Sequence, residues 1–143
     1  MRISIFLLLV LLTFATAIPS LAQDNNGLPD HPIDVKLDNC LDSNPSTAGM
    51  VECLGVAYKE WDDELNKNYK LLQSVVNAEQ KSALRLAQLS WITYRDKEID
   101  LLQALYKTKE GTMFVPMYEY SRVELVKKRA LELKSHYNLM AEF

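Results

Sequence analysis

The sequence predicts an all-α fold, a small antiparallel bundle of about three long helices. Three observations carry this. Apolar residues recur at three- and four-residue steps through three long segments, helix-starting residues stand between those segments, and no stretch alternates apolar and polar side chains as a strand would.

The chain opens on Met1 and Arg2, then a nearly continuous apolar run over residues 3–14. Pro19 breaks that run, and Ser20-Leu21-Ala22 fits a small-x-small cleavage pattern. Residues 1–22 are therefore expected to be a signal peptide cut after Ala22, with Ala15-Thr16-Ala17 as the alternative site. The run is shorter than the roughly 20 residues of a spanning helix, so no stable membrane insertion is expected after cleavage. A lipid anchor needs a cysteine directly after the cut, and Gln23 stands there. The expected location is periplasmic or secreted.

Residues 23–38 carry two prolines, a glycine and four aspartates against one lysine. They are expected to form a flexible acidic leader, extended or disordered. The domain proper is expected over residues 39–143. Asn44-Pro45-Ser46-Thr47 is a helix start, because Asn or Ser accepts from the free amides of a first turn and Pro suits its fixed geometry. The first helix should span residues 45–76, with Met50, Leu54, Ala57, Trp61, Leu65, Leu72 and Val76 on one stripe. Gly49 and Gly55 should weaken its first turns.

Asn77 with Gln80 three residues on is a second start, giving a helix over residues 78–106 with Leu84, Ala87, Trp91, Tyr94, Leu102 and Leu105 as its stripe. Residues 107–111 end it, and residues 112–116 form a turn. The third helix should span residues 117–139. Its stripe of Val123, Val126, Ala130, Leu133, Tyr137 and Met140 has the most regular period in the chain.

The formal net charge is −3, and loss of Arg2 with the signal peptide takes it to −4. An acidic chain is a poor ligand for nucleic acid and anionic membranes. Catalytic parts are scarce: His31 and His136 lie in no motif and read as surface residues. No phosphate-binding glycine loop, nucleophile elbow or zinc-protease helix occurs, so neither an enzyme, a metal site nor a cofactor is expected. Cys40 and Cys53 are an even pair in an exported chain, which argues for a bridge, with two free thiols as the alternative.

The polar residues that stand out occupy helical faces among aromatics. Asp62, Asn66 and Tyr69 follow at steps of four and three, and Gln88, Trp91 and Arg95 at steps of three and four. The expected arrangement is a structural hydrogen-bond network between two facing helices, with Arg95 against Asp62.

These residues also carry a resemblance. Cys40, Met50-x-x-Cys53, Asp62-x-Glu64-Leu65-Asn66-x-x-Tyr69-x-x-Leu72, Gln88-x-x-Trp91-x-x-Tyr94-Arg95-Asp96 and Arg129-x-x-x-Leu133 together resemble the lysozyme-inhibitor LprI-like family. The family pattern has two further cysteines, where this chain has Ile99 and a residue near Ser121. Their joint absence supports a bridge between Cys40 and Cys53, a single disulfide near the start of the bundle. The resemblance implies an exported bacterial protein that inhibits lysozyme. Apart from the family motif, the acidic patch of Glu60, Asp62, Asp63 and Glu64 and the acidic leader are the expected contacts for a cationic lysozyme or another cationic envelope protein. A binding module for a partner other than lysozyme is the rival expectation.

Overall fold

Helix formation starts earlier than the composition of the leader suggests. A computed structural model describes residues 31–142, and its first helix, α1, is Pro32–Ser43. Proline at the first helical position costs no hydrogen bond, because the amide it lacks would have had no partner there. His31 supplies the cap, its Nδ1 accepting from the Ile33 amide. Ile33, Leu37, Cys40 and Leu41 then repeat at helical spacing and turn inward. Residues 32–38 are thus helical, which corrects the extended reading of that half of the leader. His31 is likewise more than a surface residue: its ring stacks on Trp61 with centroids 4.4 Å apart. The signal peptide and residues 23–30 lie outside the described residues.

Helix α2 is Thr47–Val75. Ser46 caps it, its Oγ accepting from Gly49 N at 3.1 Å, whereas Asn44 closes α1 by donating its amide to Leu41 O. Gly49 has a positive role in this two-sided corner. A Cβ there would fall 2.8 Å from the Asn44 Cβ and 2.9 Å from its carbonyl oxygen, so the chain could not fold back so tightly with a side chain at that position. The Cys40–Cys53 disulfide forms, with Cα atoms 5.8 Å apart, and staples α1 to α2.

Val76 and Asn77 are extended and break the chain before α3, Ala78–Lys107. The capping box is complete: Gln80 N donates to Asn77 Oδ1 and Asn77 N to Gln80 Oε1, both at 2.9 Å. Gly111, at φ 100°, makes the left-handed step in the turn that follows. Helix α4 is Phe114–Ala141, starting three residues before the expected boundary, because Pro116 sits within its first turn rather than ahead of it.

Four helices therefore stand where about three were expected. No strand occurs among the described residues. Contacts between α2 and α4 climb together along both helices, from Tyr58 with Arg122 to Trp61 with Lys127 to Asn68 with Ala130, so the two run parallel. α1 runs antiparallel to α2, pairing Lys36 with Glu60 and Cys40 with Cys53. The core comes from these three helices: Leu37, then Leu54, Ala57, Trp61, Leu65 and Leu72, then Val123, Val126, Ala130 and Leu133.

Helix α3 buries no residue fully. It packs on α4 and hardly touches α2. Of its expected stripe, Leu84, Trp91 and Leu102 are half-buried against α4, while Ala87, Tyr94 and Leu105 are exposed. The arrangement is a tight α2–α4 pair with α1 packed on α2 and α3 packed on α4, not an even bundle of α2, α3 and α4.

Candidate functional site

Because α3 stands away from α2, the two polar rows do not meet. Asp62 Oδ2 accepts from Asn66 Nδ2 at 3.1 Å within α2, and the Tyr69 hydroxyl accepts from Gln73. Arg95 reaches its own neighbour, donating to Asp96 Oδ1 through Nε at 2.9 Å and Nη2 at 2.7 Å. The Asp62–Arg95 pair is therefore absent.

A different network joins α3 to α4. Arg129, with its side chain 10% exposed, donates through Nε to Gln88 Oε1 at 3.1 Å and through Nη1 to Glu132 Oε2 at 2.6 Å. The guanidinium carbons of Arg95 and Arg129 lie 5.5 and 6.0 Å from the Trp91 ring centre, within cation–π range. Gln88, Trp91 and Arg95 do assemble, but around Arg129 rather than around Asp62. Beside this network α3 and α4 enclose a groove of about 440 Å³, whose lining includes Trp91, Tyr94, Leu102, Leu125, Glu98 and Lys128.

The polar residue that does enter the core is Asn68, 1% exposed, whose Nδ2 donates to Ala130 O at 3.1 Å and bridges α2 to α4. The signal for it was present in the pattern. Between Leu65 and Leu72 the stripe of α2 skips one position at helical spacing, and Asn68 fills that gap.

The acidic run Glu60, Asp63 and Glu64 lies between α1 and α2, and each member has a lysine. Glu60 accepts from Lys36, Asp63 from Lys59 at 2.7 Å and Glu64 from Lys67 at 2.9 Å. The hydrogen bond and charge of Asp63 hold the Lys59 ammonium above its ordinary pKa. With Asp62, four acids face three lysines, so most of the run's charge is met within the chain.

A less compensated negative edge runs between α1 and α4. The Glu124 charge, helped by burial and by the charges of Asp34 and Asp38, pushes the Tyr120 phenol pKa up against the opposing pull of Lys127. Lys127 is the cation in their midst. Burial works against its charge, but the hydrogen bond to Asp34 at 3.1 Å and the field of Glu124 outweigh that and hold its pKa above the ordinary lysine value. The Lys127 ammonium also lies 5.7 Å from the ring centre of fully buried Trp61. Next to this edge, a largely apolar pocket of about 270 Å³ opens among Leu41, Met50, Leu54, Met113 and Met117. Among the described residues, no three His, Cys, Asp or Glu side chains group as a metal site would require.

The chain belongs to the lysozyme inhibitor LprI family, whose model matches residues 38–133, from the middle of α1 almost to the end of α4. It is 33% identical over 95 residues to an uncharacterized protein of Rhizobium meliloti (strain 1021), with 57% of this chain and 67% of that protein covered. It also resembles the crystal structure of an uncharacterized protein from Burkholderia thailandensis, at 30% identity and a TM-score of 0.74 over 79% of this chain. The chain spans 56% of the length of that structure. No helix of the described residues is long and apolar enough to cross a membrane.

Proposed function

We propose that this chain is exported, loses residues 1–22, and acts as a proteinaceous inhibitor that binds a cationic lysozyme and blocks its cleft. The single observation that carries this reading is the family match over residues 38–133. It covers the disulfide, the α2–α4 core and the Gln88–Trp91–Arg129 network together. Inhibition by such a scaffold is steric: it needs only a surface that complements the enzyme, steered by opposite charge. A chain of formal charge −4 after cleavage suits a strongly basic enzyme.

The test is clearing of cell-wall suspensions by lysozyme in the presence of a molar excess of the mature domain. Slowed clearing supports the reading; unchanged clearing with several lysozyme types counts against it. Export is tested separately by mass spectrometry, which should find Gln23 as the first residue of the native protein.

One observation favours a second reading, a binding module for another envelope ligand. The groove between α3 and α4 is lined by Trp91 and Tyr94, and its size falls in the range of small-molecule sites. Capture of an envelope component by a domain that leaves lysozyme active would select that reading.

A further inference from the structure

Helix α4, with its N-cap Met113, has a second apolar stripe beside its core contacts. Met113, Met117 and Tyr120 recur at steps of four and three, and Leu131 continues the same face two turns beyond Glu124. They are 61%, 45%, 49% and 42% exposed, although each is large and apolar. The stripe borders the 270 Å³ pocket, which the thioethers of Met113 and Met117 share with Met50 from α2. Methionine is flexible and polarisable, so such a surface adapts to a partner's side chains at little cost. Aromatic residues and methionine are also enriched at interface centres.

The rim of this stripe is acidic. Glu124 stands one turn after Tyr120 on α4, and Asp34 of α1 meets α4 through Lys127 at 3.1 Å, with Asp38 one turn further along α1; all three acids raise the Tyr120 pKa and Lys127 opposes them. Asp38 is exposed and has no ion-pair partner among the described residues. An apolar centre with a negative rim is complementary to a basic protein presenting an apolar or aromatic side chain among lysines and arginines.

We infer that the Met113–Met117–Tyr120 stripe, with its Asp34–Asp38–Glu124 rim, is the face that docks a basic protein partner. This rests on the lysozyme-inhibitor reading and assigns that reading its surface. It replaces the Glu60–Glu64 run, where Lys36, Lys59 and Lys67 pair three of the four acids and only Asp62 lacks a lysine.

The experiment measures binding of a cationic lysozyme to the full mature domain by calorimetry, with melting temperature as the folding control. Tyr120→Ala and Met117→Ser alter half-exposed side chains, so both should melt close to wild type and bind at least about tenfold more weakly. Asp38→Lys and Asp63→Lys change the net charge equally. Asp38→Lys should weaken binding several-fold and slow association, and Asp63→Lys should do neither to that degree. Wild-type binding with Tyr120→Ala and Met117→Ser unaffected, or Asp63→Lys weakening it as much as Asp38→Lys, overturns the surface assignment and leaves the inhibitor reading standing. A wild-type domain that binds no lysozyme overturns both.

Discussion

Arg95 and Arg129 both lie against Trp91, yet the structure gives them unequal weight. Arg95 is paired with the adjacent Asp96 near solvent, where such pairs contribute little. Arg129 is almost buried and ties α3 to α4 through Gln88. Arg129→Ala should lower stability by about 1–2 kcal/mol, since it strips the half-buried Gln88 of its donor and removes a nearly buried side chain. Arg95→Ala should cost less than ~1 kcal/mol, and chemical denaturation of the two variants checks the order. Lys127 gives a second residue-scale test. Its folded pKa is raised, so its contribution is complete below the ordinary value of 10.5 and is lost as pH rises through the higher folded value. The raised Tyr120 phenol acts in the same direction. Asp34→Asn should therefore melt below wild type at neutral pH, and the gap should narrow above pH 10.5.

The elements α2 and α4 were legible in the sequence because their stripes keep the helical period, broken in α2 only at Asn68, and their central residues end up buried. Val123, Val126, Ala130 and Leu133 are 0–1% exposed, as a helix laid along a partner requires. The Asn77–Gln80 capping box was legible too, being a local signal that tertiary packing does not alter. Helix α1 was hidden by its aspartates and by the leader's two prolines, although Ile33, Leu37 and Leu41 carry the helical period and Pro32 begins the helix rather than breaking it. The placement of α3 was not legible, since periodicity shows that a helix has an apolar face but not which neighbour receives it. Asp62 and Arg95 therefore looked like partners across a contact that the fold does not make. α1 is short and keeps its place through the disulfide and the Lys127–Asp34 pair. Cys53→Ser should cost roughly 3 kcal/mol for a loop of this size and loosen α1 before the α2–α4 core. Thermal melting, with hydrogen exchange in residues 32–43, tests both parts.

At the scale of the whole molecule, the α2–α4 pair with its flanking helices presents two different faces: the α3–α4 groove built around Trp91 and Arg129, and the α1–α4 edge built around Tyr120. The family relation directs attention to lysozyme, and the charge distribution favours the α1–α4 edge as the face that meets a basic enzyme. Binding led by charge must weaken with salt, since the Debye length falls from about 10 Å at 0.1 M to about 3 Å at 1 M. The most direct measurement is cell-wall clearing by a cationic lysozyme at low and high salt, with a molar excess of the mature domain. The account predicts clear inhibition at low salt that fades as salt rises and is reduced at low salt by Tyr120→Ala. Full lysozyme activity at low salt in the presence of excess wild-type domain would contradict it.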